Sequence, residues 1–385
     1  MNSKKAEKLD EETYALLSLS FCEGVGNLAV HRLLACFGSA SKVLAAGRGE
    51  LCSVEGLSEK LIASIRKGPD DGMLEDELDL LDRCHTELLA FGSDSYPELL
   101  KHLGEGSPPL LRIRGDYLSR DRLSVALVGS RNCTHYGRTQ ARRFSMALAE
   151  KGFTIVSGHA RGIDSECHRA ALNADGRTIA VLGCGIGRLE KLGDPELALD
   201  IAENGALLSE LPMNAPPLAK HFPPRNRLIS GLANGVVVVE AGKKSGSLIT
   251  ARCAGEQGRS VFAIPGSIMS ASSRGCHQLI RDGAFLTENP NQILEELGPL
   301  PEPVSMHEDG EEAENDESEV VKDPRELSLN EREKKVLKVV EHQPRLFDDI
   351  IEDTRLSVSE LSSVLMSLEI RGLVTRLEGN RYVLA

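Results

Sequence analysis

Tryptophan is absent from the 385 residues, and phenylalanine and tyrosine together make up only 4% of them. A site that stacks many nucleobases on aromatic rings is therefore excluded, so any stacking must rely on very few rings. No apolar run approaches the roughly 20 residues that span a bilayer, and none follows the amino-terminal lysines as a signal peptide would require. The sequence thus predicts a protein without a membrane span.

The cysteines also lack a pattern that would assign them a structural role. There are nine of them, and no two are spaced as a Cys-x-x-Cys pair. This argues against a zinc site and against a disulfide framework, and it favours free thiols in a reducing cytoplasm. We therefore expect a cytoplasmic protein with no metal and no cofactor.

Charge of each sign is concentrated in different parts of the chain. The whole chain has a formal net charge of −13, which by itself argues against a nucleic-acid ligand. Residues 302–319 contain nine acids and no Lys or Arg, whereas residues 112–281 contain 23 basic and 14 acidic side chains, a net of +9. The middle of the chain therefore has the charge that a polyanion requires.

Hydrophobic periodicity and composition predict three folded parts. The first is helical, with Gly-containing hairpins at Gly24–Gly26 and near Gly56 that are typical of SAM or helix-hairpin-helix modules. Ser58 replaces the second glycine of the second hairpin, so we expect this region to serve as a packing module and not as a strong DNA-binding module. The last part is predicted to contain three helices and a β-hairpin, which is the element order of a winged helix. The predicted segments are 1–70 (helical domain), 71–111 (connector), 112–298 (core), 299–325 (disordered acidic linker) and 326–385 (winged helix).

Short β-branched runs alternate with helical stretches in the core. Most are continuously apolar, which is typical of strands buried on both faces of a parallel sheet. This predicts an α/β fold with a Rossmann-like, doubly wound and mostly parallel sheet. The six runs are 125–128, 154–156, 178–182, 206–208, 236–239 and 261–264.

Glycine-rich segments follow four of these predicted strands. They are Gly129–Arg131, Ser157–Asp164, Gly183–Gly187 and Glu240–Thr250. Ligands of an open α/β sheet bind beyond the carboxyl ends of its strands, where glycine lets backbone amides approach an anion. A fifth segment, Lys220–Arg227, adds positive charge at the start of a helix.

Several spaced cations on one edge fit a polyanion better than a small ligand. Phe222 is the one ring expected to stack on a base, and a flexible single strand can bend into such an edge where a stiff duplex cannot. The alternative is that these arginines pair with strand-end carboxylates such as Glu240. The basic candidates are Arg131, Arg161, Lys220, Arg225, Arg227, Lys243 and Lys244.

Two small-ligand motifs fail on spacing. Gly183–Gly187 places its third glycine one residue too early for a dinucleotide fingerprint. In the segment Gly242–Ser245, the earlier glycine of a phosphate-binding loop would fall at Val237, inside a strand.

Taken together, the motifs of the core resemble the DNA-processing protein A family, DprA or Smf. The residues that carry this resemblance are Val128–Arg131 with Tyr136–Gly137, Ser157–Asp164, Phe222–Arg227, Ser245–Ala251 and Pro265–Gly266. The resemblance covers about residues 110–297, and Arg188–Asp194 stands where the family usually has a Tyr-Pro…Asn segment.

The resemblance implies a homodimer that binds single-stranded DNA, protects incoming strands during natural transformation and loads RecA onto them. It implies no catalytic residue. Its first choices for the DNA site are Arg131, Ser157, Gly158, Arg161, Lys220, Phe222 and Arg225. The same motifs add Gly129, Ser130, Asn226, Arg227, Ser245, Gly246 and Ser247, and the positive charge beside them adds Lys243 and Lys244.

Two other functions are compatible with parts of the sequence. Related α/β folds include phosphoribohydrolases that cleave nucleoside monophosphates, but the glutamate of their Pro-Gly-Gly motif is missing near Lys244–Thr250. A winged-helix regulator with a nucleotide-binding core is the other alternative. Residues 326–385 have a net charge of −2, however, which favours protein contact over a DNA groove.

Overall fold

A computed structural model of the chain describes residues 9–298, 331–340, 345–354, 356–370, 373–377 and 381–384. The predicted acidic linker, 299–325, lies outside the described residues. The chain divides into two compact units, residues 1–286 and 287–385.

A nine-stranded mixed sheet forms the centre of the first unit. Its strand order is β1-β2-β6-β5-β4-β3-β7-β8-β9, with β1 and β2 antiparallel to their neighbours and the other seven strands parallel. The strands are β1 Glu87–Ala90, β2 Leu110–Gly115, β3 Ser124–Val128, β4 Thr154–Ser157, β5 Thr178–Val181, β6 Gly205–Ser209, β7 Gly235–Val238, β8 Ser260–Ala263 and β9 Phe285–Leu286. The Rossmann-like class and all six predicted runs are confirmed.

Helices connect the parallel strands and cover both faces of the sheet. Strands β3 to β7 are buried along their whole length, as their continuous apolar sequences require. The connecting helices are α8 His135–Ala149, α9 Ile163–Asn173, α10 Pro195–Glu203, α11 Phe222–Gly231, α12 Ser247–Glu256 and α13 Arg274–Arg281. Helix α8 packs on α9, and α11 packs on α12.

The amino-terminal part of this unit is helical and contains both expected hairpins. Gly24 and Gly56 adopt φ angles of +83° and +82° at equivalent places in the two turns, a conformation that glycine adopts without strain. Ser58 caps the helix after the second turn by accepting a hydrogen bond from the Leu61 amide. The helices are α1 Glu11–Ser20, α2 Asn27–Phe37, α3 Ala40–Ala45, α4 Arg48–Cys52 and α5 Glu59–Lys67.

Residues 71–111 do more than connect two domains. They form α6 Asp71–Arg83, the short α7 Glu98–Lys101, strand β1 and the start of β2. Leu78 and Leu81 of α6 pack in a cluster with Leu182 and Met213 of the core. The sheet therefore begins well before the first predicted strand.

The second unit contains a three-stranded sheet and helices in the order of a winged helix. Strand β12 lies between β10 and β11. Ser357 caps the helix that begins at Val358, since its hydroxyl accepts from the Glu360 amide while the Glu360 carboxylate accepts from the Ser357 amide. The elements are α14 Asn291–Leu297, α15 Glu331–Val339, β10 Arg345–Leu346, α16 Phe347–Thr354, α17 Val358–Ile370, β11 Val374–Leu377 and β12 Arg381–Leu384.

No helix within the described ranges is both long enough and apolar enough to cross a membrane. Those same ranges hold no cluster of three or more His, Cys, Asp or Glu that could hold a metal ion.

Candidate nucleic-acid interface

The chain reverses its direction of progress across the sheet at β3. Strands β4, β5 and β6 follow on one side of β3, and β7, β8 and β9 follow on the other. The loops after β3 and β7 therefore separate at this point and leave a crevice at the carboxyl ends of the strands. A cavity of about 740 Å³ occupies this place. We call it the switch-point cavity.

One face of α11 forms a wall of the switch-point cavity. The helix begins at Phe222, and the residues at spacings of three, four and seven from it are Arg225, Asn226 and Ile229. These positions share one side of a helix, and all four line the cavity. The Asn226 side-chain amide donates to the Gly246 carbonyl at 3.3 Å, which ties α11 to the loop after β7.

Two guanidinium groups lie close to the Phe222 ring. The Cζ atom of Arg131 is 5.0 Å from the ring centroid, and that of Arg225 is 5.8 Å away. A Cβ atom on Gly183 would come within 2.7 Å of the ring, so glycine is needed there for the ring to sit against this backbone. One flat apolar surface thus has two positive charges beside it.

The two arginines have different surroundings. Arg131 is exposed, whereas Arg225 is 4% exposed. The Nη1 atom of Arg225 donates to the Gly158 carbonyl at 2.7 Å and also to the Val181 carbonyl, just beyond β4 and at the end of β5. Burial lowers the pKa of Arg225 to about 10, with a further lowering by Arg131 and an opposing effect of Asp164. The guanidinium still carries its charge at neutral pH.

Asp164 is a buried carboxyl group in the same cavity. It lies in the first turn of α9, and its Oδ2 accepts a hydrogen bond from the Ala160 amide at 3.4 Å. Burial raises its pKa to about 6, although Arg225 and the nearby backbone amides act in the opposite direction.

Glu240, the carboxylate that could have neutralised the arginines, is used elsewhere. It is 2% exposed and accepts hydrogen bonds from the Thr134 amide and the Thr134 hydroxyl, the latter at 2.5 Å. Thr134 caps α8. The candidate residues Arg131, Arg161, Arg225 and Arg227 therefore form no ion pair with this carboxylate.

Ten of the sixteen predicted site residues line the switch-point cavity. They come from the loop after β3, the start of α11 and the loop after β7. The ten are Gly129, Ser130, Arg131, Phe222, Arg225, Asn226, Lys244, Ser245, Gly246 and Ser247.

The other six predicted residues lie outside the cavity lining. Ser157 is buried and donates its hydroxyl to the Leu127 carbonyl, while Gly158 supplies the carbonyl that receives Arg225. Lys220 and Lys243 are exposed at positions next to lining residues. Arg227 forms an ion pair with Glu210 at 2.5 Å. Arg161 lines a neighbouring cavity of about 540 Å³, which we call the Arg161 cavity.

Some lining residues were not predicted from the sequence. Asn132 extends the loop after β3, Asp164 lies in the first turn of α9, and Ile229 lies one further turn along α11. Helical spacing from Phe222 and Arg225 identifies Ile229, whereas the sequence motif indicates no separate role for Asp164.

Comparison with known proteins identifies the same part of the chain. Residues 87–298 match the family model "DNA recombination-mediator protein A", and residues 321–380 match the "DprA winged helix domain". The Smf protein of Escherichia coli K12 is 46% identical over 225 residues, which span 58% of this chain and 60% of that protein.

The solved structures that are similar to this one include two of DNA processing protein A. DNA processing protein A (DprA) of Streptococcus pneumoniae has a TM-score of 0.65 and 34% identity, covering 75% of this chain and 99% of that one. The same protein from Helicobacter pylori, described for its single-stranded DNA binding mode, has a TM-score of 0.50 and 29% identity, covering 56% and 97%. The family model begins at β1, so it includes the two antiparallel strands as well as the parallel sheet. From its sheet to its winged helix, this chain belongs to the DNA recombination-mediator protein A (DprA/Smf) family.

Proposed function

We propose that this protein binds single-stranded DNA by its sugar–phosphate backbone in the switch-point cavity. The observation that carries the proposal is the Phe222 ring with the guanidinium groups of Arg131 and Arg225 within 6 Å of its centroid. An aromatic face can stack on any base, and guanidinium groups beside it can bind the flanking phosphates. The relative from Helicobacter pylori, described for binding single-stranded DNA, supports this choice of ligand.

The position of the ring favours a single strand over a duplex. Phe222 is half-buried inside the cavity, so a base must leave its neighbours and enter to reach it. An unpaired base can do so at small cost, whereas a base in a duplex must first be unpaired and unstacked. Binding is expected to have little sequence preference, because stacking and phosphate contacts are available to every nucleotide.

We further propose that the protein acts by binding and not by catalysis, as a homodimer in the cytoplasm that protects DNA strands in transformation and delivers them to RecA. This rests on membership of the family, whose names refer to DNA processing and to recombination mediation. Release of free base from nucleoside monophosphates by the purified protein would contradict the non-catalytic part. Failure to accelerate RecA filament formation on a single strand would contradict the delivery part.

The central test is equilibrium binding of labelled oligothymidylate at several salt concentrations, with unlabelled duplex as competitor. We expect Arg131→Ala to weaken binding to all single-strand sequences and to reduce the slope of log affinity against log salt by about 0.7 for each phosphate that the variant no longer binds. The control is Arg143→Ala, which removes an exposed arginine of α8 that lines neither cavity. An unchanged slope in Arg131→Ala, or duplex competing as well as single strand, would overturn the proposal.

A further inference from the structure

Two large apolar side chains are exposed in the loop after β8. Ile268 is 81% exposed and Met269 is 85% exposed, more than any other large hydrophobic side chain in the described part of the chain. They are neighbours at the tip of a turn, which the Ser270 amide closes by donating to the Ser267 carbonyl at 3.0 Å. We call these two residues the apolar tip. Turns usually carry Gly, Pro, Asn, Asp or Ser, so the needs of the turn do not explain two aliphatic residues here.

The loop that carries the apolar tip is held in place on both sides of the turn. Before the turn, the Pro265 carbonyl accepts a hydrogen bond from the Tyr136 hydroxyl at 2.6 Å, which ties the loop to the start of α8. After the turn, the Gly275 amide donates to the Ala241 carbonyl at 2.7 Å. A Cβ atom on Gly275 would lie 2.6 Å from that same oxygen, so this close contact requires glycine. The apolar tip is therefore presented to the solvent in a fixed position, which lowers the entropy cost of binding a ligand.

The apolar tip lies next to the switch-point cavity. A Cβ atom on Gly242, which lines the cavity, would lie 3.5 Å from the Ala271 carbonyl oxygen. Met269 is two residues from Ala271, so their Cα atoms are at most about 7 Å apart. A strand that leaves the cavity past Gly242 can therefore reach the apolar tip.

The charge around the apolar tip favours a nucleic-acid strand as its ligand. Residues 241–255 contain three basic side chains and no acid, and residues 257–281 contain three arginines and no acid. Of these cations, Lys243, Lys244 and Arg274 are exposed. Apolar side chains beside exposed cations suit a ligand that has base faces and phosphates side by side.

We propose that the apolar tip packs against a base of the single strand, next to the nucleotide held in the switch-point cavity. This inference rests on the proposed function and adds a base contact that no aromatic ring makes. Ile and Met side chains insert between the bases of a duplex in several DNA-bending proteins, where unstacking costs free energy. A flexible single strand can turn a base face toward the apolar tip at a smaller cost. Such a contact contains no hydrogen bond and therefore adds affinity without sequence preference.

The test measures the binding of wild type and of Ile268→Ser/Met269→Ser to oligothymidylate and to an abasic strand of the same length. On oligothymidylate we expect the variant to bind about five- to twentyfold more weakly, because apolar area on two side chains is no longer buried. Its salt slope should equal that of the wild type, since no phosphate contact is lost. On the abasic strand the two proteins should bind equally, because the base that the apolar tip would contact is missing.

Two further variants serve as controls. Leu199→Ser removes another exposed aliphatic side chain, on α10, which lines neither cavity, and it should bind both strands like the wild type. Ile268→Val/Met269→Leu keeps most of the aliphatic area and should keep most of the affinity for oligothymidylate.

Each outcome decides the inference. It is overturned if Ile268→Ser/Met269→Ser binds oligothymidylate like Leu199→Ser, or if its loss of affinity persists on the abasic strand. It is also overturned if DNA affinity is unchanged while self-association or stimulation of RecA is lost, because the apolar tip then binds a protein. If the wild type does not bind oligothymidylate, the proposed function fails first. If wild type and Arg131→Ala behave as proposed while the serine variant matches its control, only the contact at the apolar tip is excluded.

Discussion

Arg131 and Arg225 both lie close to the Phe222 ring, but the protein depends on them differently. Arg131 is exposed, and its guanidinium lies against the Phe222 ring. Arg225 is buried and supplies hydrogen bonds to two strand-end carbonyls. The first can serve the ligand alone, whereas the second also holds the ends of β4 and β5 together.

Alanine at these two positions should therefore separate stability from binding. Arg225→Ala leaves the carbonyls of Gly158 and Val181 without their donor, and we expect the free energy of unfolding to fall by about 2–3 kcal/mol. Arg131→Ala should change it by less than about 0.5 kcal/mol. Urea denaturation followed by circular dichroism measures both, since there is no tryptophan to report by fluorescence. Equal stability of the two variants would contradict the structural role of Arg225.

Asp164 should make stability depend on pH in a defined window. Its pKa is about 6 in the folded protein, against an ordinary value of 3.8, and burial is the main cause. Between these values the folded state holds a proton that the unfolded state has lost, so stability falls as pH rises through the window. The wild-type free energy of unfolding, minus that of Asp164→Asn, should drop by about 2 kcal/mol from pH 4 to pH 7.

Taking this difference cancels the titration of groups that both proteins share, including the buried histidines. A difference that stays constant, or that increases with pH, would show that the Asp164 carboxyl has no raised pKa in the folded state.

Residue patterns in the sequence predicted the site residues that share one helix face. They did not predict residues whose position depends on a contact with a distant part of the chain. Phe222, Arg225 and Asn226 point to one cavity because they share a helix face. Arg227, two residues after Arg225, lies on another side of the helix and meets Glu210 instead. Helical spacing contains this information, whereas the acidic partner, 17 residues earlier in the chain, could be known only from the fold.

At the scale of elements, continuous apolar runs identified the buried parallel strands, but β2 was missed. Arg112 interrupts its apolar pattern, although this side chain is only 2% exposed. It can be buried because its Nε donates to the Glu77 carboxylate of α6 at 2.7 Å, and Glu77 also accepts from the Met213 amide. A partner 35 residues away cannot be read from the strand itself. The same pair joins the helical part to the sheet.

Removing one partner of this buried ion pair should lower the free energy of unfolding more than replacing both partners with apolar side chains. Glu77→Ala leaves the Arg112 charge buried without a partner, and we expect a loss of about 3–5 kcal/mol in the free energy of unfolding. The double variant Glu77→Leu/Arg112→Met removes both charges and should be clearly more stable than Glu77→Ala. A double-mutant cycle by urea denaturation measures the coupling. Strictly additive effects would mean that the two side chains do not stabilise each other.

At the scale of the whole molecule, the net charge opposes the proposed ligand while the site favours it. Residues 302–319 supply nine of the acids, and without them the formal net charge would be −4 instead of −13. Charges that do not touch the ligand act on it through the solvent, over a Debye length of about 10 Å at 0.1 M salt and 3 Å at 1 M. They alter the rate of encounter more than the strength of the final contacts.

Replacing every Asp and Glu of residues 302–319 by Asn and Gln should therefore speed the association of single-stranded DNA. We expect the association rate constant to rise by about three- to tenfold at low salt and to return to the wild-type value near 1 M, because screening removes the long-range term. Stopped-flow binding measures this, and a variant with the same eighteen residues in scrambled order is the control, since its net charge is unchanged. If the increase in association rate persists at 1 M salt, this segment acts by direct contact and not by its charge. If the scrambled variant shows the same increase, the segment acts by its sequence and not by its charge.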